Sequence, residues 1–218
     1  MQDSGRHLLA YDGWKMLFFL AVLALVSTVY IGWIAGLLLF LVLTVLGYIF
    51  RNPQRTIPSA PLAVVSPASG EINAIETVED QWLSRTAIRF SMKISLWDIH
   101  ILRSPAEGKV IKQWVAEEKN LQGYNRRYTY WIKTDEDDDV IFSILLGRWS
   151  SFTRVYFLTG DRLGQGQTCG FLYWTGAIEI LMPANARINI KAGDRMESGS
   201  SILGSFVHEE GSSVIGNS

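Results

Sequence analysis

Between Met16 and Phe50 the chain carries no Asp, Glu, Lys, Arg or His. This uncharged run of 35 residues, rich in Leu, Val, Ile and Phe, is too long for an ordinary core helix. About 20 apolar residues already suffice to cross a bilayer as a helix. The run therefore fits one long tilted span or two shorter arms. Midway, Ser27, Thr28, Tyr30, Gly32, Trp33 and Gly36 gather small, polar and interfacial aromatic residues, the composition of a tight turn near a headgroup layer. Arg6 and Lys15 precede the run, and Arg51 and Arg55 follow it. Positive flanks tend to stay cytoplasmic, so they predict a helical hairpin with both ends on that side. Its arms would cover residues 16–29 and 34–50, either spanning the inner membrane or dipping into it. A signal peptide has an apolar core of roughly 7–15 residues and a small-x-small cleavage site, neither of which matches. The expectation is an integral membrane protein, with the anchor in residues 1–50.

After Phe50 the composition changes abruptly. Arg51, Asn52, Pro53, Gln54, Arg55 and Pro58 form a helix-hostile linker over residues 51–59, because proline fixes its own backbone and restricts the residue before it. Beyond it, short β-branched and aromatic runs alternate with Gly, Pro, Asn and Asp, at residues 70–75, 87–92, 128–133, 140–145 and 177–182. This predicts an all-β domain over residues 60–207, on the cytoplasmic side, followed by a flexible tail at 208–218. With 20 Lys+Arg against 21 Asp+Glu and no basic stretch, nucleic-acid binding is excluded as a function class. The single cysteine, Cys169, rules out an internal disulfide and a cysteine-based zinc site. It reads as a small buried hydrophobe. The acidic run at residues 135–139 lies between two predicted strands and reads as an exposed hairpin loop, with no metal site expected.

Two internal echoes sharpen the fold. Ser66-Pro67-Ala68-Ser69-Gly70 returns as Ser104-Pro105-Ala106-Glu107-Gly108, and Gly160-Asp161-Arg162-Leu163 with Gly166 returns as Gly193-Asp194-Arg195-Met196 with Gly199. Gly permits positive φ, Pro fixes its own and Asp bonds the backbone ahead, so each copy turns the chain sharply. Paired turns of this kind look like the barrel-sandwich architecture of biotinyl and lipoyl domains. Lys109 and Lys191 lie near turns but lack the Met-Lys-Met-like setting of a carrier lysine.

In order and spacing, the chain resembles the short bacterial phosphatidylserine decarboxylase proenzymes. The likeness is carried by Phe50 to Arg55, Val65 to Gly70, Phe90 to Met92, Asp98 to Gly108, and Gly170 to Pro183 with the closing Gly-Asp-Arg-Met turn. It covers nearly the whole chain. The resemblance implies a proenzyme that cuts its own backbone before a serine, which becomes a pyruvoyl group. That ketone accepts the electrons released as CO2 leaves phosphatidylserine, yielding phosphatidylethanolamine.

The resemblance also implies an Asp, a His and a Ser acting in self-cleavage as in a serine-protease triad. Here only His100 is present as such. The Asp position holds Ser69 and the Ser position holds Gly176, with Thr175 one residue earlier. Glycine has no hydroxyl to attack a carbonyl, and Ser69 brings no negative charge to support an imidazolium. Asn125-Arg126-Arg127 likewise stands where the family often has Asn-Glu-Arg. The expectation is a family member without self-processing, binding membrane phospholipid or a partner, with His100, Ser69, Thr175 and Gly176 marking the site. No cofactor is expected unless the chain cuts itself. A homo-oligomer or an active paralogue is the partner to expect. The alternative is an active phosphatidylserine decarboxylase.

Overall fold

The computed structural model describes residues 11–49, 51, 55–58, 60, 62–121, 123–147 and 153–208. The uncharged run folds as two helices, α1 (Tyr11–Tyr30) and α2 (Trp33–Ile49), joined at Ile31 and Gly32. The break falls where the sequence clusters small and interfacial residues. Ser27 O accepts from both Ile31 N at 2.9 Å and Gly32 N at 3.0 Å, closing the last turn of α1. α1 starts before the uncharged run, taking in Asp12 and Lys15.

The expectation of membrane-crossing helices is not met. Among the described residues, no helix is long and apolar enough to cross a membrane. Splitting the run is the reason: at about 1.5 Å rise per residue, the 17 residues of α2 reach about 26 Å and the uncharged part of α1, from Met16 to Tyr30, about 22 Å, both short of the roughly 30 Å hydrocarbon core.

The remaining elements are β1 (Ala63–Val65), β2 (Gly70–Asp80), β3 (Arg85–Ile94), β4 (Ile101–Arg103), β5 (Gly108–Leu121), β6 (Tyr124–Lys133), β7 (Asp139–Gly147), β8 (Thr153–Val155), β9 (Arg162–Leu163), β10 (Thr168–Leu172), β11 (Gly176–Pro183), β12 (Arg187–Ile188), β13 (Arg195–Met196) and β14 (Ile202–Ser205). All five runs read as strands from the sequence lie inside β2, β3, β6, β7 and β11. An eight-stranded sheet runs β13-β2-β3-β11-β7-β6-β5-β9, and two three-stranded sheets run β1-β14-β12 and β4-β10-β8. Its central strand β7 is buried on both faces. Val140, Phe142, Ile144 and Leu146 enter the main core, while Ile141 joins Ala87 and Leu181 in a second cluster edged by Trp82, Trp114 and Trp131.

The duplicated turns are equivalent in space. Ser66 Oγ donates to Ala68 O and Ser104 Oγ to Ala106 O, each at 2.7 Å. Gly70 and Glu71 pair with Met196 and Arg195, as Gly108 and Lys109 pair with Leu163 and Arg162. Asp194 Oδ2 accepts from Lys191 N, and Asp161 Oδ2 from Leu158 N, both at 2.8 Å. The copies also grip each other: Val65 N donates to Pro105 O and Arg103 N to Pro67 O, each at 2.8 Å. This reciprocity makes the β domain an internal pseudo-twofold.

The acidic run forms the β6–β7 turn, as expected. Four of its five carboxylates meet basic partners: Arg162 on Asp135, Lys133 on Asp137, His208 on Asp138 and Arg85 on Asp139. His208 is thereby held at the start of the expected tail, and residues 209–218 lie outside the described residues.

Gly166 and Gly199 close the two Gly-Asp-Arg turns at φ +67° and +77°. A Cβ at position 166 would lie 2.9 Å from Ile57 side-chain atoms, and one at 199 would lie 2.5 Å from Arg103 Cδ. Gly166→Ala and Gly199→Ala are each expected to destabilise the domain by about 1–2 kcal/mol or more, the cost of a left-handed L-residue plus the clash. Gly164→Ala, where the nearest atom would be 3.5 Å away, is expected to stay within about 0.5 kcal/mol of the parent. Urea unfolding of the three variants checks this.

Candidate functional site

The site is built around the turn between β3 and β4. Ser95 N donates to Asp98 Oδ2 at 2.8 Å and Asp98 N to Ser95 O at 3.1 Å, a reciprocal pair that fixes this loop. His100 follows it and is fully buried. Its Nε2 lies 3.3 Å from Ser95 O. A carbonyl only accepts, so Nε2 carries the proton and Nδ1 presents its lone pair. Nδ1 is buried with no hydrogen-bond partner among the described residues. Burial pushes the imidazole below its ordinary range, against the opposing pull of the Ser95 carbonyl and Asp98, and nearby Arg51 adds to the lowering. The ring is therefore neutral at pH 7.

Shared contacts link His100 to the other positions singled out from the sequence. Leu172 N donates to His100 O at 2.8 Å, tying β10 to the β4 entry. Gly176 opens β11, and a Cβ there would lie 3.2 Å from Leu172 Cδ2 and 2.9 Å from Leu145 O. On the other side, Ser198 Oγ lies 3.2 Å from both Ile101 O and Pro67 O, while Ser198 N donates to Ser69 Oγ at 3.1 Å. Ser69, His100 and Gly176 thus surround β4 and β10. The hydroxyl of Ser69 receives Ser198, and the ring proton of His100 goes to Ser95. Thr175 is exposed.

The roles of Ser95, Leu172 and Ser198 were not legible from the motifs alone. Ser198 had one available signal: it occupies the place in its Gly-Asp-Arg turn that Gln165 holds in the other copy. Arg127, from the Asn-Arg-Arg segment, lies away from His100's contacts and donates to Glu179 Oε2 at 2.7 Å, a mostly buried ion pair joining β6 to β11. Cys169 is buried, as expected, and its thiol is pushed up to about 12 by that burial.

The hairpin lies against this site. Leu17, Leu43 and Leu46 pack on Ile99, Ile101, Phe171 and Tyr173, so the apolar helices cover the strands on either side of His100. Tyr48 meets Trp97 in a tilted pair at 6.5 Å between centroids, and the Arg51 guanidinium sits 3.7 Å over the Tyr48 ring.

A family model described as phosphatidylserine decarboxylase matches residues 42–204. The chain belongs to the phosphatidylserine decarboxylase family. It is 30% identical over 206 residues to the phosphatidylserine decarboxylase proenzyme of Nitrosomonas eutropha, covering 91% of this chain and 95% of that protein. The proenzymes of Aromatoleum aromaticum and Symbiobacterium thermophilum are each 29% identical, over 93% and 94% of this chain and 98% of each relative. No solved structure matches. The family expected from the ordered motifs is thus established, and its sequence likeness runs from α2 through β14.

A histidine held neutral by burial couples folding to pH. Its folded pKa lies below the 6.5 of the unfolded chain, so the unfolded state takes up the proton first as pH falls. The contribution is intact above pH 6.5 and is lost as pH drops toward the folded pKa. His100→Gln is expected to flatten the fall in unfolding free energy between about pH 7 and 5 relative to the parent. Urea titrations at both pH values read the difference, and equal slopes would count against a buried neutral His100.

Proposed function

We propose that this family member does not cut itself and acts as a phospholipid- or partner-binding protein at the membrane. The observation that carries this reading is the packing of Gly176. The resemblance places the self-cleaving serine at this position, where glycine offers no hydroxyl. The surroundings are also closed to one, because Leu145 O and Leu172 occupy the volume a Cβ would need. Real Cβ atoms do not approach a backbone oxygen at 2.9 Å, so β7 or β11 would have to shift.

The pyruvoyl group implied by the family does not fit these residues. It would be made from the side-chain-bearing residue at 176, and no such residue is there. Thr175 supplies a hydroxyl one position earlier, yet its side chain is exposed and its use would move the scissile bond. Ser69, where the resemblance expects the carboxylate, accepts a hydrogen bond from Ser198 N, and His100 is bonded to Ser95. Each position has a packing role in the absence of cleavage chemistry. The paired turns support a barrel-sandwich scaffold retained for binding.

Attachment to a bilayer is supported by the hairpin's surface. Val29 and Ile31 are 74% and 76% exposed, and Phe18, Phe19, Leu25, Trp33, Leu37 and Leu41 are exposed as well. An apolar surface of this extent needs a partner phase. In this reading the two arms dip into the inner membrane without crossing it, and the β domain stays on the cytoplasmic side. The substrate class of the relatives, a phospholipid presented at a bilayer, is the ligand to expect.

The purified protein is expected to show one intact mass and to release no CO2 from carboxyl-labelled phosphatidylserine in mixed vesicles. Two fragments with a carbonyl-blocked amino terminus, together with borohydride-sensitive CO2 release, would restore the decarboxylase. Gly176→Ser alone is expected to leave the chain uncut and to lower its stability by about 1–3 kcal/mol through overpacking, measured by mass spectrometry and urea unfolding.

A further inference from the structure

Trp97 and Trp174 are 60% and 53% exposed, and each sits on a loop next to one of the site positions. Trp97 lies in the Ser95–Asp98 loop leading to His100. Trp174 lies between β10 and β11, two residues before Gly176. Both loops also touch the base of the hairpin. Ile99 and Tyr173, two and one residues from the tryptophans, share a cluster with Leu17, Leu43 and Leu46, and the Trp97 ring meets Tyr48 in a tilted pair at 6.5 Å. At this base, Arg51 places a cation over the Tyr48 ring.

We infer that Trp97 and Trp174 form an aromatic lip by which the β domain itself enters the headgroup layer of a bilayer, flanking the hairpin and setting the His100 region at headgroup depth. Tryptophan prefers this layer because its large apolar ring carries one polar N–H. The lip continues the hairpin's apolar surface at the point where the helices meet the domain, and a basic residue stands beside it, suited to a lipid phosphate. A protein partner would have to cover the hairpin as well as both loops, whereas a bilayer edge meets all three as one surface. The inference rests on the insertion of the hairpin proposed above, and adds that the two site loops share its contact with lipid.

Single cysteines at Leu38→Cys, Trp97→Cys, Trp174→Cys and Glu136→Cys in the full chain, each carrying an environment-sensitive dye, test this on vesicles of phosphatidylcholine with phosphatidylserine. The native Cys169 is buried, so the introduced thiols report. Bromine-labelled lipid is expected to quench positions 38, 97 and 174 by about twofold or more, and to leave position 136, on the β6–β7 turn, unchanged. Quenching at 38 with none at 97 and 174 overturns the lip and leaves hairpin insertion standing. No quenching at 38 overturns both. Equal quenching at all four sites, 136 included, indicates nonspecific adsorption and overturns the lip. As a label-free check, Trp97→Ala with Trp174→Ala is expected to weaken vesicle partitioning about tenfold, and Trp97→Tyr with Trp174→Tyr to recover most of it. Unchanged partitioning in a folded double alanine variant also overturns the lip.

Discussion

Two hydrogen bonds hold the β domain together at its centre: Val65 N to Pro105 O and Arg103 N to Pro67 O. They run between the two Ser-Pro-Ala turns in opposite directions. Each turn thus uses a proline carbonyl to anchor the strand that leads into the other. Proline cannot donate a backbone hydrogen bond, so its carbonyl is what it can offer, and here both are used. Ser66 and Ser104, fully buried, bond within their own turns and leave no hydroxyl unsatisfied in the core. Because Ser69 closes one turn and His100 precedes the strand entering the other, this crossing also lets Ser198 link the two, its N on Ser69 Oγ and its Oγ on Ile101 O.

Strands with alternating patterns and a covered face were legible from sequence. β2, β3, β6 and β11 carry such patterns and β7 a nearly continuous apolar run that suits a strand covered on both faces, and the five form the contiguous middle of the main sheet together with β5. β5 itself escaped notice because Lys109, Lys112, Gln113, Glu117, Glu118 and Lys119 interrupt its apolar residues. The two-residue strands β9, β12 and β13 have no periodicity to read; they exist only because distant turns bring a partner edge alongside. The break of the apolar run into two helices was legible through Gly32 and its neighbours. The early start of α1 was not, since Asp12 and Lys15 belong to the charged flank in any hydropathy reading.

The site was half legible for a related reason. His100, Ser69, Thr175 and Gly176 stood out through their motifs, but the groups that decide what they can do lie far away in the chain. Ser198 meets Ser69 across 129 positions, and the Leu145 carbonyl that limits position 176 belongs to a neighbouring strand. From the sequence, the helices over Ile99, Ile101 and Phe171 are an anchor alone. That they also cover the site depends on Leu17, Leu43 and Leu46 facing the domain, which an all-apolar segment does not reveal because every face looks alike.

The packing at Gly176 couples this one position to its neighbours. With the Leu145 carbonyl 2.9 Å and Leu172 Cδ2 3.2 Å from where a Cβ would stand, the spacing of β7 and β11 and the placement of Leu172 are set for a residue without a side chain. Admitting one takes coordinated changes, at Leu172 and in the strand spacing, so substitutions at 172 and 176 do not add as independent changes would.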